Sequence, residues 1–281
     1  MKLTRRHFLH GILGAAGSAA AGAVYATKIE PHWVDFNQVA LPIRNLPAAL
    51  VGKRLVQMSD LHIGLRFDYQ YILETFPRVE ALAPDFVVYT GDFVSYEDDY
   101  QLEQFGEVAP RLPHGRLGTA AVLGNHDYGH GWQMTRVADI LAGQLAVSGV
   151  TVLRNEQARF GGLTIVGLDE YWSPRYAPRE VLADIDPDSP ALTLVHNPDV
   201  ADEDVWGRYR GWILCGHTHG GQVKPPFLPP PVLPVRNKRY TSGKIGLGDG
   251  RTLYINRALG HLWSIRFNAR PEVTVFTLQR G

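Results

Sequence analysis

Short apolar runs alternate with longer amphipathic stretches through most of this chain. The runs at 54–58, 86–89, 119–123, 163–166, 192–195, 212–214, 252–255 and 273–278 are rich in Val, Ile, Leu and aromatic residues and predict strands. Between them, 69–82 and 132–145 repeat apolar positions at helical spacing and predict helices. The segment 30–53 carries Pro31, Pro42 and Pro47 and reads as extended chain rather than helix. Strand–helix alternation giving way to a strand-rich end predicts an α/β fold of stacked mixed sheets with helices outside. A length of 281 residues suits one large domain better than two small ones.

The polar residues at the ends of these runs change the picture most. Asp60, Asp92, Asn125, His196 and His217 each follow an apolar run within a few positions. In open α/β sheets the C-terminal ends of strands form the ligand-binding edge. The fragments there are Asp60-Leu61-His62, Gly91-Asp92, Gly124-Asn125-His126-Asp127, His196-Asn197-Pro198 and Gly216-His217-Thr218-His219. Asp60 and His62, one residue apart, share a side of an extended backbone. Singly, each fragment also reads as an ordinary turn or cap. Together they form a set of Asp, Asn and His donors without cysteine, suited to manganese, iron or zinc and to hydrolysis rather than electron transfer.

Charge and composition narrow the classes further. The 28 basic and 28 acidic residues cancel, so no broad basic footprint points to nucleic acid. The single cysteine, Cys215, excludes an intrachain disulfide and reads as a small buried hydrophobe. Residues 1–29 differ from the rest. Thr4-Arg5-Arg6-His7-Phe8-Leu9 matches a twin-arginine export signal, and an apolar stretch without acidic residues runs on to about Ala26. The expectation is a 1–29 signal or uncleaved membrane anchor ahead of a 30–281 catalytic domain. That makes the export machinery a partner and sets the domain in the periplasm or on the outer face of the cytoplasmic membrane.

The ordered motifs D-x-H, G-D, G-N-H-D, H and G-H-x-H resemble those of the calcineurin-like metallophosphoesterase superfamily. Within it, Ser59–Gly64, Tyr89–Ser95, His217–Val223 and Leu153-Arg154-Asn155-Glu156 are similar to the exported phosphodiesterases of the YkuE and YaeI kind. The resemblance implies a four-layer α/β/β/α sandwich and two divalent metal ions, with manganese expected first and iron or zinc as alternatives. It assigns Asp60, His62, Asp92 and His219 to one ion. Asp92, Asn125, His196 and His217 go to the other. A hydroxide between the ions would attack phosphorus, with His126 stabilising the transition state or protonating the leaving oxygen. Asp127 would orient His126 or its loop. The implied activity is hydrolysis of a phosphodiester or pyrophosphate bond in a small-molecule or lipid substrate. A phosphomonoesterase and a non-catalytic metal-bearing envelope protein are the alternatives.

Around this centre, Arg257 and Arg236, with Arg239 and Arg266, are candidates for gripping phosphate, because guanidinium pairs with phosphate oxygens. The proline-rich stretch 224–234 is expected over the site rim, where its apolar residues either pack a stiff loop or meet an acyl chain or membrane surface. Tyr171 and Trp172 either line a pocket or pack in the core.

Overall fold

Side chains alternate across a strand, so a strand with both faces covered must be apolar at every position. In this protein β3 is such a strand, with Phe86 and Val88 packed to one side and Val87 and Tyr89 to the other. The computed structural model describes residues 5–64 and 69–281. Its elements are α1 (Arg5–Val24), β1 (Asp35–Ile43), β2 (Arg54–Met58), α2 (Gln70–Glu80), β3 (Phe86–Thr90), α3 (Tyr100–Val108), β4 (Gly118–Val122) and α4 (Thr135–Val147). There follow β5 (Thr151–Val152), β6 (Glu156–Phe160), β7 (Leu163–Gly167), α5 (Pro178–Ala183), β8 (Ala191–Leu194), β9 (Trp212–Cys215), β10 (Gly243–Gly246), β11 (Thr252–Ile255) and β12 (Glu272–Arg280).

Two mixed six-stranded sheets result, ordered β1-β12-β2-β3-β4-β5 and β10-β11-β9-β8-β7-β6. Leu55, Phe86 and Val122 of the first sheet meet Leu192, Leu194 and Leu214 of the second in a central apolar layer. Outside the first sheet, Ile72 and Phe76 of α2, Phe105 of α3 and Leu141 of α4 cover Val56, Val87 and Ala121. Outside the second, Val181 and Leu182 of α5 join Val200 and Trp206 over Val166, Ile213 and Cys215. The α/β/β/α layering is therefore the expected one, and Cys215 is buried as expected.

Each strand expected from the apolar runs is present, and both expected helices are shifted by only a few residues. The segment 30–53 contains more order than extended chain alone. Its β1 pairs in parallel with β12 at a sheet edge, where Pro42 costs no ladder bond on the open side.

The N-terminal α1 is exposed along its described side chains. The stretch Ile12–His32 is long and apolar enough to cross a membrane by length and composition, as a signal or an anchor would be. Residues 1–4, including Lys2 and Thr4 of the export motif, lie outside the described residues. Packing on the domain begins at Tyr25 and Ala26, inside the segment expected to be leader. The Ala26 carbonyl accepts from Arg266 N, and the buried Glu30 carboxylate accepts from Ala269 N.

Candidate metal centre

Strands β2, β3 and β4 run parallel in the first sheet, and β8 and β9 run parallel in the second. Their C-terminal ends meet at one edge of the sandwich. The first sheet delivers Asp60, His62, Asp92 and Asn125, and the second delivers His196, His217 and His219. All seven are buried. Five of them have left-handed backbone: Asp60 (φ 53°), His62 (50°), Asp92 (55°), His217 (72°) and His219 (52°). The one-residue spacing of Asp60 and His62 thus does its work through two left-handed turns, not through extended chain. Such backbone costs on the order of 1 kcal/mol or more per residue and persists where surrounding contacts hold it. Backbone bonds from Asp60 N to Gly91 O and from His62 N to Asp92 O do so here.

Two donor clusters are formed. Asp60, His62 and His219 bring one ligand atom each to within 4.8 Å of one another, as do Asp92, His196 and His217. In the first, His62 Nε2 stands 3.1 Å from His219 Nε2, and Asp60 Oδ1 stands 3.2 Å from His219 Nε2. In the second, His196 Nε2 is 3.1 Å from Asn125 Oδ1, 3.1 Å from His217 Nδ1 and 3.2 Å from Asp92 Oδ2. Two donors about 2.1 Å from one ion and at right angles to it stand about 3 Å apart. The spacing in both clusters therefore fits a divalent cation in each. Asp92 Oδ2 is also 3.6 Å from His62 Nε2, so this carboxylate faces both clusters. The ligand set fits a dimetal centre.

The outer contacts fix which nitrogens remain for a cation. His196 Nδ1 lies 2.7 Å from the Thr90 carbonyl and His217 Nε2 lies 2.9 Å from the Pro234 carbonyl. A carbonyl only accepts, so each of these nitrogens carries its proton and the opposite one is the nitrogen that faces the cluster. His62 Nδ1 is hydrogen-bonded to Ser95 Oγ. Burial pushes His62 well below the usual imidazole range and His217 down to about 3, which keeps both rings neutral. Burial works the other way on Asp60, but the neighbouring His219 outweighs it and holds the carboxyl down at about 2.

His126 is half-buried, with its ring centroid 5.0 Å from that of His62 and its backbone N–H donating to Asp92 Oδ1. It lines a cleft of about 330 Å³ with Ser95, Tyr96, His130 and Trp263. Asp127 has no hydrogen bond to it. The buried Asp127 carboxylate accepts from the N–H groups of Phe93, Val94 and Gly124, so it fastens the two loops bearing Asp92 and Asn125.

The arginines divide. Arg257, expected at the phosphate, has its Nε committed to Glu272 and one Nη to Asp35, at 2.6 and 2.7 Å. Arg266 is fully buried and donates to the carbonyls of Arg257, Ala258, Gly260 and Ala269. Both are struts. Arg236 and Arg239 are exposed, and the Arg236 guanidinium reaches Tyr171 Oη. The proline-rich stretch does lie at the rim, held by the Pro234 contact with His217.

Three groups lie outside the metal-ligand motifs. Trp132 stacks on Trp172 at 4.6 Å, and Trp172 packs edge-on against His217 at 5.0 Å, forming an aromatic wall beside the second cluster. Glu170 is buried with one carboxylate oxygen lacking a partner among the described residues. Burial raises this carboxyl to about 7, against the pull of His196. Third, the Tyr128 hydroxyl donates to Asp169, and Arg154 bonds both. Arg154 belongs to the Leu153–Glu156 stretch that carries the family resemblance, and its partners here come from the β4–α4 loop and the loop after β7, distant in sequence.

Fold and site together define a metal-dependent phosphoester hydrolase. The Calcineurin-like phosphoesterase family matches residues 53–221, and the chain belongs to that family. It is 33% identical to the uncharacterized metallophosphoesterase YkuE of Bacillus subtilis, over 99% of this chain and 98% of that one. With phosphodiesterase YaeI of Escherichia coli it shares 29% identity, covering 98% and 99%. UDP-2,3-diacylglucosamine pyrophosphatase LpxG of Chlamydia trachomatis is 27% identical, covering 89% and 91%.

Proposed function

We propose that this protein is an exported dimetal phosphoesterase that hydrolyses a phosphodiester or pyrophosphate bond in an envelope lipid or glycolipid. The observation that carries this reading is the meeting of two donor clusters at Asp92, with His126 at the edge of the cleft beside them. The names of YaeI and LpxG, a phosphodiesterase and a pyrophosphatase, support the bond type. Asp60, His62, His219 and Asp92 would hold one ion, and Asp92, Asn125, His196 and His217 the other, with manganese as the working metal. When bound, the ions polarise phosphoryl oxygens and lower the pKa of water.

The chain's own groups supply the rest. His126 gives its proton to the oxygen that departs as water adds to phosphorus and the bond to the leaving group breaks, and the proton released by that water passes to solvent, from which the ring is reprotonated. Asp127 keeps the His126 loop against the Asp92 loop. The Trp132–Trp172 pair and the exposed Arg236 border the approach. Residues 1–29 act as a twin-arginine signal or anchor, and residues 30–281 form the catalytic domain outside the cytoplasmic membrane. Residues Arg5 and Arg6 and the apolar α1 support that placement.

The test is turnover of an aryl phosphodiester and of the matching monoester, with manganese and with chelator. Diester cleavage lost on chelation is the expected result. Preference for the monoester would make the protein a phosphomonoesterase, and two bound metals without turnover would make it a binding protein.

A further inference from the structure

Several large apolar side chains on this protein point into solvent beside the metal centre. Phe227 is fully exposed, Leu228 is 61% exposed, Val232 59% and Trp263 60%. The first three ride on the proline-rich loop, whose Pro234 carbonyl accepts a hydrogen bond from His217 Nε2 and whose Pro230 abuts Gly221. Trp263 lines the cleft that contains His126. Gln222, three residues past His219, donates to the Trp263 and Ile265 carbonyls and so joins the two segments.

The same two segments anchor the base of α1. Ala26 O accepts from Arg266 N, the Tyr25 ring meets Phe267 edge-on at 6.4 Å, and Lys224 N donates to Phe267 O. With 20 residues at about 1.5 Å each, α1 extends for about 30 Å, and its residues 12–24 belong to the apolar stretch Ile12–His32 that is long enough to cross a bilayer. Its exposed apolar side chains find no cover on the domain. If such a helix enters a bilayer, the residues hydrogen-bonded to its base lie at the bilayer surface. The charge agrees with that position. From residue 205 to 248 the chain has no Asp or Glu, and Lys224, Arg236 and Arg239 on or just after the proline-rich loop are exposed, while exposed Glu97 shares the cleft with Trp263. Exposed aromatic and aliphatic tips among basic residues are the chemistry of attachment to anionic lipid headgroups.

We infer that the Phe227–Val232 loop and Trp263 form a surface that rests on an anionic lipid bilayer, so that the metal centre opens toward the membrane and takes lipid-borne phosphoesters from it. This rests on the phosphoesterase reading and deepens it by naming how the substrate is presented.

The full chain, reconstituted in phosphatidylglycerol vesicles with brominated acyl chains, tests this. Six tryptophans contribute to the fluorescence, so the quenching lost in Trp263→Phe isolates that residue. The expected result is strong acyl-chain quenching of Trp263. Equal quenching in the wild type and the variant would overturn the inference. A second measurement compares a fluorogenic phosphodiester on a diacylglycerol carrier in the vesicles with a soluble aryl diester. Phe227→Ser with Leu228→Ser is expected to lower vesicle hydrolysis by about fivefold or more through lost apolar insertion, with soluble turnover unchanged. Equal rates on both substrates in wild type and variant would overturn it, as would an equal loss on both. Soluble turnover without Trp263 quenching sinks the membrane contact alone, whereas no turnover on either substrate sinks the phosphoesterase reading itself.

Discussion

Gly124 follows β4 at the head of the Gly-Asn-His-Asp turn, and it has no room for a side chain. A Cβ there would lie 2.2 Å from Asp92 Oδ1, 2.8 Å from Asp92 Cγ and 2.5 Å from Asp92 N. The contact with the backbone nitrogen is decisive, because rotating the Asp92 side chain cannot relieve it. Nor can the Asp92 backbone retreat freely, since its carbonyl accepts from His62 N and the preceding Gly91 carbonyl accepts from Asp60 N. Ordinary carbon contacts need about 3.5 Å or more, so the carboxylate shared by both clusters must move by about 1 Å. Overpacking of this kind costs about 1–3 kcal/mol, and a misplacement of about 1 Å in a reacting site costs about 100-fold in rate. Gly124→Ala is therefore expected to lower diester turnover by about 100-fold, lose metal and melt several degrees lower. The assay is kcat on an aryl diester at saturating manganese, beside metal content by mass spectrometry and a thermal melt. Gly143→Ala in α4 is the control, because a Cβ there meets nothing within 4 Å; it should hold turnover and gain about 0.5–1 kcal/mol of helix stability. Full metal content and turnover within about threefold of wild type in Gly124→Ala would refute the geometric argument, since the step from 1 Å to a large rate loss would have failed.

His126→Ala should keep both metals and lose about 100-fold or more of diester turnover; unchanged turnover would remove His126 from the chemistry. Asp127→Ala leaves three buried N–H groups without their acceptor, at about 1–3 kcal/mol each, so denaturant unfolding should show a loss of several kcal/mol. A loss under about 0.5 kcal/mol would contradict its role as a fastener. His261, buried against Tyr71, is pushed down to about 3 by burial and by Arg266. Its unfolded form takes up a proton below about 6.5 while the folded form does not, so stability falls as pH drops through that window. The loss from pH 7 to pH 5 is roughly 2 kcal/mol, and His261→Phe should remove that share of the difference. An unaltered pH difference in the variant would show that His261 does not carry it.

The local parts of the site were legible because each is a short motif at a strand end, and apolar runs mark strand ends in any sequence. Asp60, Asp92, Asn125, His196 and His217 needed no knowledge of which strands pair. Long-range partners were not legible. Arg257 reads as a free cation near a metal motif, yet it meets Asp35, 222 positions away on β1, and Glu272 on β12. Those contacts exist only because β1 and β12 pair at the sheet edge. The α3 helix was hidden for a different reason. Leu102, Phe105 and Val108 have helical spacing, but nine residues beside Asp98 and Asp99 resemble a solvated loop. The Trp132–Trp172 wall joins two loops distant in sequence, so neither tryptophan announces the other.

The central claim is that Asp92 joins two cation sites that together carry hydrolysis. Metal content of the active protein, measured with aryl diester turnover before and after chelation, tests it most directly. Two divalent ions per chain, loss of turnover when they are removed, and return of turnover with manganese are expected. One ion or none per chain at full turnover, or turnover that survives complete chelation, would contradict it.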